Sequence, residues 1–167
     1  MRDMTRKSLK EAFAGESEAR NKYTIFATKA EKEGKPVVAR LFKAVAEAEL
    51  IHAAKHLEAL DKVGDTSKNL EAAAGGENFE FEEMYPAYKA IAALQGEKKA
   101  ERAFTLAMEA EKVHEALFKS ARSRVDDGQD IEATEIRLCP TCGYVDIDGK
   151  VDKCPICGVP AKSFKSF

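Results

Sequence analysis

No run of apolar residues in this 167-residue chain approaches the roughly 20 that a helix needs to cross a bilayer. The opening MRDMTRKSLKEAF lacks the apolar stretch of a secretory leader, so the expected location is the cytoplasm. An excess of one charge is missing too: the net charge is −2 and the pI is near 6.0, which leaves no electrostatic argument for nucleic acid or an anionic membrane as partner. No G-x-G-x-x-G follows a strand-like run, so NAD(P)H is expected only as a remote source of electrons. Histidine is scarce, with three residues, His52, His56 and His114. The four cysteines all lie beyond Leu138, and a chain expected inside the cell has little use for a disulfide framework.

What is present begins with a repeat. EAELIH (47–52) returns as EAEKVH (109–114), each with Glu three residues before His. A shift of 62 lays Phe42 on Phe104, Glu49 on Glu111 and His52 on His114, and Tyr23 on Tyr85. Upstream the shift is 61, where AGE at 14–16 faces GGE at 75–77 and pairs Glu16 with Glu77. The pattern reads as a duplicated helical hairpin. With 44% hydrophobic and 34% charged residues, the chain can bury a core and add a small appendage.

Apolar periodicity predicts helices over about 5–33, 37–63, 77–94 and 97–126. Thr5 or Ser8 can cap the first; Gly34 and Pro36 separate the first two; Gly64 ends the second. DTSKN (65–69) reads as a turn before an alanine-rich crossover that Gly75 and Gly76 break. Pro86 either kinks the third helix, by losing the bond to the Glu82 carbonyl, or marks a helix that begins only near Tyr85. The fold class expected is an all-α, ferritin-like four-helix bundle with one crossover over 1–130 and a small metal-bound β unit over 131–167. About 30 residues cannot support a conventional core, so a metal must hold the second unit together.

A Glu and a His at i and i+3 share a helix face, so Glu49 with His52 and Glu111 with His114 can each grip a metal. One such pair would more often decorate a solvated helix. Two at one shift, with Glu16 and Glu77 on the same scheme, form the inward-facing ligand set of a di-iron carboxylate bundle. His56 faces Phe118 in the repeat and reads as a surface residue or a support to a ligand. Tyr23 and Tyr85 can lie on the stripes of Glu16 and Glu77, as plain core tyrosines or as phenols bonded to a ligand carboxylate.

Cys139-x-x-Cys142 and Cys154-x-x-Cys157 are two metal-binding turns, each with a glycine after the second cysteine. Spacing alone leaves a zinc ribbon and a one-iron redox centre open, since both are tetrahedral S₄. An electron carrier makes sense beside a di-iron site, and a zinc-stabilised interaction module is the rival reading.

The segments AFAGESEARNKYTIF (12–26), EAELIH, GENFEFEEMYP (76–86), EAEKVH and the terminal CPTCGY…CPICG together resemble the rubrerythrin family over nearly the whole chain. The resemblance implies a di-iron bundle followed by a rubredoxin-like FeS₄ domain, acting as a peroxidase that reduces hydrogen peroxide to water in oxidative-stress defence. Its implied cofactors are two irons bridged by oxo and carboxylate groups, and one iron held by Cys139, Cys142, Cys154 and Cys157. The implied di-iron ligands are Glu16, Glu49, His52, Glu77, Glu80, Glu111 and His114, with Glu49 and Glu111 bridging. Glu80, which faces Ala19 and so has no repeat partner, would exchange with the first histidine as the redox state changes. Tyr23, Tyr85 and Glu80 are the residues expected to take part in catalysis. Two ferrous ions match the two-electron demand of O–O cleavage.

The expected partners are peroxide and an external donor, either rubredoxin or an NAD(P)H reductase. The runner-up function is a ferritin-like ferroxidase or iron-handling protein. His114 stands roughly 20 Å of helix before the end of the fourth helix. A linker continuing outward would put the S₄ site far from its own bundle, whereas about ten residues could also reach back up to roughly 33 Å; a head-to-tail homodimer would close the distance in the first case, as the resemblance also implies.

Overall fold

A computed structural model describes residues 1–167. Its contacts divide the chain into two units, Met1–Gly64 and Asp65–Phe167.

The first unit is an antiparallel helix pair, α1 (Asp3–Lys32) and α2 (Pro36–Ala59). Gly34 takes the left-handed conformation at φ +69°, Lys35 N–H returns to the Ala30 carbonyl, and Pro36 starts α2 where its missing N–H costs nothing. Ala39, Ala46 and Ala53, spaced by seven residues, are buried on α2, as are Ala27 and Ala30 on α1. Small side chains on one stripe let the two backbones approach closely. Bulkier Ile25, Val37, Leu41 and Ile51 are exposed.

Two helix boundaries differ from those the sequence predicts. Neither Thr5 nor Ser8 caps α1: the cap position is Arg2, without a side-chain bond, and Ser8 Oγ donates back to the Met4 carbonyl within the helix. Helix α2 stops at Ala59, short of 63, because Asp61 takes the left-handed turn (φ +54°) expected of Gly64, and Lys62 N–H closes onto the Leu57 carbonyl.

In the second unit α3 spans Thr66–Phe79, a π-helical turn follows at Glu80–Met84, α4 spans Tyr85–Leu94 and α5 spans Lys98–Asp126. The expected break at Gly75–Gly76 does not occur. The Asp65 side chain caps α3 by accepting from Lys68 N–H at 2.9 Å, and both glycines stay inside the helix. Each costs roughly 1 kcal/mol against alanine, a penalty that packing of α3 on α5 outweighs. The alanine-rich segment is therefore helix, not an irregular crossover. At Pro86 the two alternatives merge: Tyr85 N–H reaches back five residues to the Glu80 carbonyl, and the helical path continues through a widened turn.

Beyond α5, Gly128 ends the helix at φ +74°. Strands β1 (Ile136–Leu138), β2 (Val145–Ile147) and β3 (Lys165–Ser166) form an antiparallel sheet in the order β2-β1-β3. The Arg137 guanidinium pairs with buried Asp146 across β1 and β2 and donates to the Val151 carbonyl.

The linker returns instead of continuing outward. Arg124 on α5 pairs with Glu132 at 2.6 Å, and Thr134 N–H bonds to Asp148 Oδ1 at 2.7 Å. The small sheet is thereby laid along α5. An apolar groove of about 720 Å³ runs between them, lined by Val113, Leu117 and Phe118 on one side and Ile136, Val145 and Ile147 on the other.

Candidate metal centres

The i, i+3 spacing does what helical geometry requires of it. In the first unit Glu16 on α1 joins Glu49 and His52 on α2, with ligand atoms within 4.8 Å of one another. His52 Nδ1 lies 3.0 Å from Glu49 Oε2 and 3.9 Å from Glu16 Oε1. In the second unit Glu77 on α3 joins Glu111 and His114 on α5 within the same 4.8 Å limit. There His114 Nδ1 lies 2.6 Å from Glu111 Oε2.

The two triads differ in exposure. The His52 side chain is 52% exposed and that of His114 21%. Burial, together with Glu111 beside it, pushes the Glu77 carboxyl up to about 7. Burial and then Glu111 also raise Glu80, which shares the neighbourhood of Glu111 and His114 from the π turn. Carboxylates crowded so that they hold on to protons are a fitting donor set for a multivalent cation, which replaces those protons. The ligand types, carboxylate and imidazole, suit iron or manganese.

Tyr85 is raised by burial first and by Glu80, Glu111 and Glu77 after it, which places the phenol among those carboxylates and keeps it protonated. Its ring packs on Phe104 and Tyr23 packs on Phe42, so both tyrosines also serve the hydrophobic interior. His56 is half-buried and stands outside both triads.

The four cysteines converge in the small sheet unit. Each turn repeats one hydrogen-bond plan. Cys139 N–H donates to the Tyr144 carbonyl and Cys154 N–H to the Val159 carbonyl, both at 2.8 Å; Gly143 (φ +82°) and Gly158 (φ +78°) then return N–H groups to the Cys139 and Cys154 carbonyls. Only glycine takes that backbone without strain. Sulfur pairs Cys139–Cys157 and Cys142–Cys154 stand at 3.5 and 3.4 Å. A tetrahedral ion with bonds of about 2.3 Å needs edges of roughly 3.75 Å, so the cage fits after a few tenths of an ångström of expansion. Burial raises Cys142 and Cys157; burial also opposes ionisation of Cys139, but N–H groups of Thr141 and Cys142 prevail and bring it down to about 7.

One contact had no signal in the sequence. His114 Nε2 lies 2.8 Å from the Gly143 carbonyl oxygen, a backbone atom immediately after Cys142. No side-chain motif announces a backbone acceptor.

Comparison with known proteins supplies the context. The family model described as Rubrerythrin matches residues 7–122. Rubrerythrin-2 of Clostridium acetobutylicum is 39% identical, over 98% of this chain and 97% of its own length. Nigerythrin of Nitratidesulfovibrio vulgaris is 37% identical, over 98% of this chain and 86% of its own. A solved structure of fully reduced, all-ferrous nigerythrin has a TM-score of 0.60 at 35% identity, covering 98% of this chain and 86% of that one.

Proposed function

This chain belongs to the rubrerythrin family, and on that premise we propose that it reduces hydrogen peroxide to water with electrons relayed through its four-cysteine centre. Its fold class is that of the family: ferritin-like helices of a four-helix bundle with a small rubredoxin-like domain, which we assign to residues 1–130 and 131–167. Its cofactors are likewise the family's, a di-iron centre and one iron in a Cys₄ site. The chain is an oxidoreductase of that family; hydrogen peroxide as oxidant and NAD(P)H as remote electron source belong to the proposal. The observation that carries it is the coexistence, in one chain, of two Glu₂His triads with a complete cysteine cage.

We assign Glu16, Glu49 and His52 as the residues that would hold one iron and Glu77, Glu111 and His114 as those that would hold the other, with Glu80 as the additional ligand. The chemistry that a bound di-iron centre supplies is two-electron cleavage of an O–O bond. The protein's part is to hold five carboxylates and two imidazoles in place and to supply protons nearby. Tyr85, kept protonated by burial and by its carboxylate neighbours, offers an O–H group at that point. Tyr23, which the repeat pairs with Tyr85, is proposed as the corresponding phenol of the first unit. An iron-storage reading leaves the cysteine cage without a use.

No helix is long and apolar enough to cross a membrane; the cytoplasm as location, an external rubredoxin or reductase as donor, and a homodimer complete the proposal. The test is direct. Iron-loaded protein, reduced by an NADH-driven rubredoxin reductase system, should consume peroxide and yield water with two electrons per molecule. Uptake of ferrous iron into a mineral, with no reductase-dependent loss of peroxide, would overturn the reading.

A further inference from the structure

We infer that each di-iron site is built by two copies of this chain: α1 and α2 of one copy face α3 to α5 of the other, and the exchange is reciprocal. The inference rests on the reading above that the two triads serve one iron pair in a ferritin-like bundle.

The connection after α2 decides the matter. In that bundle α2 and α3 run in the same direction, which is why the fold needs a long crossover between them. Glu49 stands ten residues before the end of α2, and Glu77 eleven residues after the start of α3. At 1.5 Å of rise per residue, bringing both carboxylates to one level sets those two helix ends roughly 31 Å apart along the bundle axis. The chain from Ala59 to Thr66 offers seven Cα-to-Cα steps, at most about 25 Å when fully extended.

Nor is it fully extended. Leu60 N–H still bonds to the His56 carbonyl, Asp61 turns left-handed, and Lys62 N–H folds back to the Leu57 carbonyl. Only the four steps from Lys62 to Thr66 are left to travel, about 14 Å at most. In the ferritin-like order one copy therefore cannot close its own bundle. A second copy removes the difficulty, because its α3 needs no connection to the α2 against which it packs. Exchange of identical segments about a two-fold axis closes the assembly at two chains and gives it two equal sites.

The helix faces agree. On α2, Val38, Leu41, Val45 and Glu49 follow one another at three or four residues and so share one stripe, on which Val38 and Leu41 are exposed. On α4, Tyr88 and Ile91 continue from Tyr85 at steps of three and are exposed as well. Exchange sets apolar stripes that carry metal ligands against each other, and it covers His52, more than half exposed in its own unit. Each site then takes Glu16, Glu49 and His52 from one chain and Glu77, Glu80, Glu111 and His114 from its partner.

The experiment cross-links the two Glu-x-x-His pairs, which the di-iron reading brings to the same metals. Full-length chains carrying Glu49→Cys are refolded with full-length chains carrying Glu111→Cys, with zinc in the cysteine cage to shield its thiols, and are then oxidised. A disulfide should join position 49 of one chain to position 111 of the other, at twice the 18.4 kDa of one chain without reductant. Either chain refolded alone should give none. No cross-link in the mixture, with a 49–111 disulfide inside single chains of the double variant, would overturn the inference and leave the iron pair within one copy. No cross-link in either preparation would show that the triads never meet, and would sink the di-iron reading with it.

A second measurement needs no added cysteine. Chains with Glu49→Ala and His52→Ala are refolded with chains carrying Glu111→Ala and His114→Ala, again with zinc in the cage, and are loaded with manganese(II). Hybrids should show the paramagnetic resonance of a coupled manganese pair, with hyperfine lines at half the spacing of a lone ion, which neither parent shows. Hybrids verified by native mass spectrometry that lack the coupled signal would overturn the inference. Failure of peroxide reduction would leave both results unchanged and would sink only the functional proposal.

Discussion

The Tyr85 ring packs 6.1 Å from Phe104 at an interplanar angle of 38°, and Tyr23 packs 6.1 Å from Phe42 at 35°. The pairs are related by the sequence repeat, so the duplication preserved the geometry of a contact as well as a pattern of residues. Each tyrosine holds its ring against a partner helix while its hydroxyl is free for other use. Tyr85→Phe should keep this packing and change stability by no more than about 1 kcal/mol, yet slow peroxide turnover. Phe104→Ala, at a half-buried position, should cost about 2 kcal/mol, below the 3–5 typical of a fully buried aromatic. Urea denaturation of the iron-loaded variants measures both. A Tyr85→Phe enzyme as fast as the parent would confine the phenol to packing.

Glu80 sits on the π turn beside Glu111 and His114 and has no counterpart in the first repeat. Glu80→Ala should leave the helices formed and the protein metal-loaded while slowing peroxide reduction, by roughly tenfold or more if it contributes the usual share of a positioned acid or base. Circular dichroism, iron content and stopped-flow rates separate the three effects. Normal kinetics in a metal-loaded variant would remove Glu80 from the reaction.

Glu77 makes the metal-free protein sensitive to pH. Its folded carboxyl titrates near 7, above the ordinary value of 4.5, so the folded state binds the proton more tightly than the unfolded state does. Its contribution to stability is therefore greatest below about pH 4.5 and is lost as pH rises towards 7. The urea midpoint of metal-free protein should fall over that interval, and Glu77→Gln should flatten the fall. Iron loading should reverse the trend, because metal then competes with the proton. An unchanged slope in Glu77→Gln would assign the effect to another group.

Stripping iron from the cysteine cage should unfold little of the helical signal. Burial holds Cys142 and Cys157 protonated without a cation, and the small sheet has little core besides the sulfurs, Ala161 and the Asp146 pair. Amide exchange over residues 136–166 should accelerate sharply in the metal-free state, while α1 and α2 keep their protection. Protection of the sheet in the absence of any metal would show that side-chain packing suffices to hold it.

Local chemistry made much of this protein legible. The Glu-x-x-His pairs and Cys-x-x-Cys turns are short-range patterns whose geometry follows from 3.6 residues per turn and from a glycine turn, and the structure assembles each as expected. Glu16 and Glu77, found through the repeat, fall into their triads too. What stayed hidden depended on competition or on distance. Gly75 and Gly76 look like breakers, but α3 has a cap at Asp65 and a partner in α5. Asp61 took a left-handed turn that glycine usually takes. The return of residues 129–135 along α5 is held by Arg124–Glu132 and by Thr134–Asp148, pairs that no periodicity marks.

The widened turn at Glu80–Met84 explains why the two halves of the chain align at 61 residues up to Glu77 and at 62 from Tyr85 onward. A π turn is the form that one inserted residue takes inside an α-helix. The second half is longer than the first by a single residue, and the surplus was absorbed within the helix instead of being expelled into a loop. Glu77 and Tyr85 thus kept the stations of Glu16 and Tyr23 on either side of it. Deleting one residue between them would tighten the turn to ordinary α-helix and leave Glu77 and Tyr85 seven residues apart, the spacing of Glu16 and Tyr23. The asymmetry of the two triads is, in that sense, a matter of counting: a duplicated hairpin lengthened by one place, with a carboxylate in the altered turn.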